Sequence, residues 1–195
     1  MANSATPLRL WRIFPWDANA KADALFSPES TPPKQGSGRF DLGGRPPVLY
    51  LAESPAHAIG EKLQRYRGQQ IDWPELREFG HPLAVVQVTV NAAATAPVAD
   101  LCDPVTLLRY QCRPDELMSR DSARTQAISR HLYVSGLGGF RVWSALTGDW
   151  HSTVVFLDRL QANQHLSFAD PVAVELDSAP LHEAAELLAL TVVGR

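Results

Sequence analysis

Apolar residues along this chain fall into short runs separated by turn-forming stretches. Residues 9–14 (RLWRIF) read as a first strand, and residues 47–52 (PVLYLA) as a buried one. Residues 83–90 (LAVVQVTV) make the clearest strand in the chain. Ser54 followed by Pro55 predicts an N-cap and a first helical position, opening a helix to about Tyr66. Ala56, Ile59, Gly60, Leu63 and Tyr66 form one face of it. Further helices are expected over 104–110 and over 121–134, the second capped by Asp121. Two strands, 139–143 (GFRVW) and 152–157 (STVVFL), are joined by a short loop, and a last helix near 180–190 follows Ser178 and Pro180. Residues 15–37 are different. Pro28, Pro32 and Pro33 exclude a regular element, so this is a long loop of the kind that serves function or is disordered. Strands and helices mix without strict alternation and without internal repeats, which suggests an α+β (mixed α/β) fold.

Composition narrows the class. A length of 195 residues suits one large domain or a domain with a small appendage, and 45% hydrophobic content suffices for a core. The net charge of −3 argues against a broad electrostatic grip on DNA or RNA, though it leaves room for a small basic pocket. Lysine is scarce, with Lys21, Lys34 and Lys62 alone against a surplus of arginine; that bias by itself decides nothing. Cys102 and Cys112 do not make a disulfide scaffold and are expected to be reduced. No apolar run reaches the roughly 18 residues of a membrane span, and the N-terminus lacks a secretory signal pattern. A soluble cytoplasmic protein that binds no membrane is the expectation.

The candidate chemistry concentrates in GSGRFDLGGRPPVLYLAESPAHAIGE, where Arg39, Tyr50 and Glu61 stand eleven positions apart. A guanidinium after a glycine turn, a phenol on a strand and a carboxylate on the next helix suit a phosphorylated ribosyl compound with positive charge developing at a sugar carbon. Each residue has a plainer reading. Arg39 could be a surface cation, Tyr50 a core ring and Glu61 a solvated glutamate, since Glu61 lies nearly opposite the apolar face of its helix. His57 precedes Glu61 by one turn, but no further ligand is in register, so no metal site is expected. Arg12 interrupts an apolar strand and therefore lies at an edge or is paired in a cleft. Ser144 ends a strand at a turn, where its hydroxyl either enters a site or starts the turn. Gly136, Gly138 and Gly139 lack the spacing of a dinucleotide fingerprint, and there is no GxSxG elbow, P-loop or zinc-type spacing.

Together LWRIF, GSGRFDLGG, VLYLAESPAHAIGE and GLGGFRVWSALTG with STVVFLD resemble the RES domain family. The resemblance covers about residues 8–160 and leaves 161–195 as a C-terminal extension whose helix would pack on the same domain. It implies an ADP-ribosyltransferase-like central β-sheet core flanked by helices. It also implies a toxin of a type II toxin–antitoxin system whose partner is an Xre-type helix-turn-helix antitoxin. Nucleic acid would then be bound only through the antitoxin. The family's chemistry centres on NAD+ as substrate, with no cofactor: phosphorolysis with inorganic phosphate as co-substrate, hydrolysis, or ADP-ribosyl transfer to a protein. Carried over by motif, Glu61, Arg39 and Ser144 are the catalytic group, and Arg12, Arg39, Tyr50 and Ser144 bind substrate. The chain departs from the family in having Phe40 after the second arginine, a long stretch between Arg12 and Arg39, and ALTGDWHST after the WSA segment. The competing readings are a catalytically silent antitoxin-binding module and, more weakly, a ribonuclease toxin.

Overall fold

A computed structural model describes residues 6–31, 35–43, 46–92, 95–162 and 164–194. The regular elements in chain order begin with β1 (Leu8–Pro15), β2 (Val48–Ala52), α1 (Pro55–Leu63), β3 (Gln70–Ile71), β4 (Arg77–Glu78) and β5 (His81–Val90). They continue with β6 (Val98–Asp100), α2 (Pro104–Arg109), α3 (Pro114–Leu117), α4 (Ser122–Val134), β7 (Gly139–Trp143) and β8 (His151–Phe156). The last are β9 (Leu166–Phe168), β10 (Val172–Ala173), α5 (Ala179–Leu188) and β11 (Thr191–Val192). Two single turns of 3₁₀ helix follow α1 and β3. The fold is mixed α and β, as the sequence pattern led us to expect, and its strands pair mostly antiparallel. Pro32, Pro33 and Lys34, within the expected loop, lie outside the described residues. On either side of them the loop holds turns and no regular element.

The chain divides into two compact units. The first takes Met1–Arg9, Thr31–Leu51 and Thr89–Ser167. Its strands run in the order β2, β8, β7, β6. β7 and β8 pair antiparallel from Gly139↔Val155 to Trp143↔His151, while β6 pairs parallel to β7. The unit's core is Phe40, Val48, Leu101, Leu117, Leu132, Phe140, Val154 and Phe156, with Phe40 and Phe140 edge to face. Gly139 allows close strand approach here: a Cβ on it would lie 2.4 Å from the Val154 carbonyl oxygen. This glycine serves sheet packing, consistent with the missing dinucleotide spacing.

The second unit takes Leu10–Ser30, Ala52–Val88 and Phe168–Arg195. Here β10, β5 and β1 are neighbours, and β1 meets the end of β2 at Trp11↔Ala52. Ser54 caps α1 by accepting from the His57 amide at 3.0 Å, and Pro55 opens the helix, as expected. α1 packs along α5. The chain after α5 is tied back by parallel pairing of β11 with β3 and by the Gly68 amide on the Leu188 carbonyl at 3.0 Å. These contacts bury Ile59, Leu63, Leu181 and Leu188 completely or nearly so.

Candidate active site

In the first unit, many of the polar backbone groups of the GSGRFD turn are hydrogen-bonded. The Asp41 carboxylate, 2% exposed, accepts from the Gly36 amide at 2.7 Å and the Gly38 amide at 2.8 Å through Oδ2. Its Oδ1 accepts from the Tyr50 hydroxyl at 2.9 Å. That hydroxyl in turn accepts from the Phe40 amide at 2.8 Å. On the carbonyl side, α4 supplies the donors. Gln126 reaches the Gly36 and Gly38 oxygens at 3.1 and 2.9 Å, Ser129 the Phe40 oxygen at 2.7 Å, and Thr125 the Arg39 oxygen. Thr125 and Ser129 are fully buried polar residues one helical turn apart, facing a segment more than eighty positions away in sequence.

Arg39 is therefore held on a rigid turn. Its guanidinium donates from Nη2 to the Leu117 carbonyl at the end of α3 and packs over the Phe40 ring. It is half-buried, and the plainer reading as a freely solvated cation does not describe it. Tyr50 reverses its expected core placement in part. In β2 every other residue is buried and Tyr50 is 37% exposed, yet its hydroxyl is engaged at both ends. The ring is what meets solvent. Burial of the hydroxyl, and then the Asp41 charge, raise its pKa above the ordinary tyrosine value, so it stays protonated. Ser144 is 1% exposed and shapes the turn after β7: its Oγ accepts from the Leu146 amide at 3.0 Å, and its own amide donates to the Trp150 carbonyl at 2.8 Å.

In the second unit, Glu61 departs from the solvated placement that helical periodicity suggests. The side chain is one-third exposed and lies against a fully buried His57, with Nε2 to Oε1 at 3.4 Å. α1 is buried at every position from Ala56 to Gly60, so no face opposite the core exists for those residues. Small side chains at Ala56, Ala58 and Gly60 explain why: they let neighbouring elements close on several sides of the helix. Arg12 belongs to an interior strand, not an edge, with β5 on one side and β2 on the other. Leu10, Arg12 and Phe14 are the buried positions of β1. The guanidinium lies over the Phe14 ring and donates from Nη1 to the Pro28 carbonyl at 2.6 Å. Burial lowers its pKa to about 10, against a smaller raising effect of Glu29, so at neutral pH it is a charged group in a poorly solvated place.

Residues that sequence reasoning passed over are Asp41, Thr125, Gln126 and Ser129. Asp41 stood inside the quoted motif. The signal for the α4 residues was a polar i, i+4 pair on the core-facing side of a helix. Among the described residues no group of three or more His, Cys, Asp or Glu is placed to hold a metal ion. No helix among them is long and apolar enough to cross a membrane.

No curated protein matches this sequence. In structure the chain is similar to one in the crystal structure of the M. tuberculosis MbcT–MbcA toxin–antitoxin complex, with a TM-score of 0.61. The two are 20% identical, over 95% of this chain and 91% of that one. The RES domain family matches residues 9–177, a span that includes Arg12, Arg39, Tyr50, Glu61 and Ser144, and the chain belongs to that family.

Proposed function

We propose that this protein is the toxin of a toxin–antitoxin pair and that it consumes NAD+ by breaking the nicotinamide–ribose bond. Family membership and the likeness to a chain of the MbcT–MbcA toxin–antitoxin complex support the first part. The second rests chiefly on one observation. Tyr50 offers an exposed ring whose hydroxyl is bonded to the same turn that carries Arg39. A flat aromatic face beside a fixed guanidinium fits a planar base joined to phosphate.

In this reading the C–N bond breaks with its electron pair moving to the pyridinium nitrogen, and nicotinamide leaves neutral. Positive charge spreads over the ribose anomeric carbon and ring oxygen, and the Glu61 carboxylate stabilises it. Arg39 grips phosphate through its planar fork, and Arg12 supplies a second cation whose burial strengthens its hold on an anion. Tyr50 stacks on the base. Ser144 positions ribose or phosphate and does not attack, because its Oγ already holds a turn. A water or phosphate oxygen then bonds to the anomeric carbon, the water proton passing to solvent in hydrolysis. NAD+ is the substrate and no cofactor takes part. The cytoplasm, where NAD+ is plentiful, is the site of action. The partner is an Xre-type helix-turn-helix antitoxin that carries the DNA-binding surface.

The test is incubation of purified protein with NAD+, with and without inorganic phosphate, and identification of the products. Free nicotinamide with ADP-ribose marks hydrolysis, and a phosphorylated ADP-ribose marks phosphorolysis. Label transferred from NAD+ to an acceptor protein would mark ADP-ribosyl transfer. NAD+ left intact under all conditions, with or without cell extract, would sink the enzymatic reading and favour the silent antitoxin-binding module.

A further inference from the structure

Three donors converge on the single buried carboxylate of Asp41: the Gly36 amide, the Gly38 amide and the Tyr50 hydroxyl. The Asp41 amide also returns a bond to the Gly38 carbonyl at 3.2 Å, which closes the turn on itself. The fit is tight enough to dictate the residue at 38. A Cβ on Gly38 would stand 2.6 Å from both Asp41 Oδ1 and the Tyr50 hydroxyl oxygen. The glycine after Ser37 is thus required by the approach of Asp41 and Tyr50, and its amide is spent on Asp41.

A carboxylate only accepts, so the Tyr50 hydroxyl must donate its proton to Asp41 while it accepts from the Phe40 amide. Both hydrogen-bonding capacities that matter for proton transfer are used inside the protein. We propose that Asp41 is a positioning residue that clamps Tyr50 to the Arg39 turn, so that Tyr50 serves substrate through its ring and takes no part in acid–base chemistry. The proposal rests on the reading of Arg39 and Tyr50 as substrate-binding groups. It separates two roles that a tyrosine in an active site could otherwise combine. Asp41 touches no substrate; it acts by fixing the ring and the turn, and its loss loosens both.

The experiment has two arms. The first needs no substrate: amide hydrogen exchange at Gly36 and Gly38, measured by NMR. Both amides are expected to be protected in the wild type and to exchange at least tenfold faster in Asp41→Ala, with the strands β7 and β8 unchanged. Unprotected glycine amides in the wild type would overturn the clamp. The second arm is steady-state NAD+ kinetics on Asp41→Asn, Tyr50→Phe and Tyr50→Ala. Asp41→Asn keeps the shape and an acceptor for the glycines but no longer takes the Tyr50 proton. One such bond to a charged group is worth roughly a tenfold to hundredfold change, expected as a rise in KM with kcat nearly unchanged. Tyr50→Phe should resemble it, keeping kcat and the shape of the pH–rate profile, whereas Tyr50→Ala should lose both affinity and rate. In the Tyr50→Phe background the effect of Asp41→Asn should shrink, because the two share one contact. A Tyr50→Phe enzyme as slow as Tyr50→Ala, or one missing a limb of the pH profile, would overturn the proposal. A wild type inert toward NAD+ but with protected glycine amides would fault the functional reading and leave the clamp standing.

Discussion

His57 Nε2 lies 3.4 Å from Glu61 Oε1, and the imidazole is fully buried while the carboxylate keeps a third of its surface exposed. The other ring nitrogen, Nδ1, faces the Glu53 amide at 3.4 Å and accepts from it. That arrangement places the imidazole proton on Nε2, aimed at the carboxylate. Ser54 fixes the first turn of the same helix through the His57 amide. Glu61 is thus held from two sides, by His57 one turn back and by Gln64, whose Nε2 donates to Oε2 at 3.2 Å.

This pair predicts a graded response at position 57. Gln places an amide nitrogen close to where Nε2 sits and keeps a donor for Glu61; Leu fills the space without one. His57→Leu should lower kcat about tenfold, the order expected when a bond that orients a charged group is lost, with KM little changed. His57→Gln should recover most of the loss. Equal activity in both variants, measured on proteins with matching circular dichroism, would remove His57 from any role at Glu61.

Glu61→Gln isolates the charge. The substitution keeps size, and the His57 Nε2–H can still donate to the amide oxygen, so thermal unfolding should move little for a residue one-third exposed. The rate of NAD+ loss should fall about 10²–10³-fold, as when one preorganised electrostatic group is removed from a reacting centre. Unchanged turnover in the folded variant would end the assignment.

Much of this fold was legible in the pattern of the chain, and the exceptions have physical causes. β1, β2, β5, β7 and β8 are long enough to show an apolar run, and α1, α4 and α5 carry cap residues at Ser54, Asp121 and Ser178. β3, β4, β10 and β11 are two-residue pairings, too short to have a period. They form because partners elsewhere in the chain reach them. Within the site, the motif marked Arg39, Tyr50 and Glu61, but sequence spacing misjudged two environments. Periodicity put Glu61 on a solvated face because it assumes a helix with one buried side, whereas Ala56, Ala58 and Gly60 allow burial on several. Tyr50 in PVLYLA looked like core because hydropathy cannot say which single residue of a buried strand turns outward. The polar residues Thr125 and Ser129 were not singled out, because only the tertiary fold gives them the carbonyls of Arg39 and Phe40 to hold.

Gly38→Ala tests the tightness of the turn. The added methyl would fall 2.6 Å from Asp41 Oδ1 and from the Tyr50 oxygen, and neither side chain is free to swing because each is bonded at more than one point. Overpacking of this kind costs about 1–3 kcal/mol. The midpoint of urea unfolding should drop accordingly, and the Michaelis constant for NAD+ should rise as Tyr50 and Arg39 are displaced. A variant as stable and as active as the wild type would mean that the turn relaxes at no cost.

Arg12 should reveal a conflict between stability and use. Its folded-state pKa of about 10 lies below the ordinary arginine value because burial disfavours the charged form. Below pH 10 the group is protonated both folded and unfolded, so the full cost of burying the charge is present at neutral pH. As pH rises from about 10 toward the ordinary arginine value the folded protein releases the proton first, the unfolded chain binds more protons, and the cost declines. Replacing the guanidinium with an apolar side chain of similar length removes this cost. It also removes the bond to Pro28 and the partner of Glu29. Replacing an entire buried ion pair by well-packed apolar groups is often neutral or stabilising by about 1–4 kcal/mol, whereas removing one partner and leaving the other unpaired costs stability. In Arg12→Met the relief of the buried charge offsets the lost bonds, so it should unfold at nearly the same temperature at pH 7 while losing affinity for NAD+. The two measurements decide between roles. A large drop in melting temperature would make Arg12 a structural cation held for Pro28 and Glu29. Retained stability with weakened substrate binding would identify a charge kept in a costly place for the anion it meets.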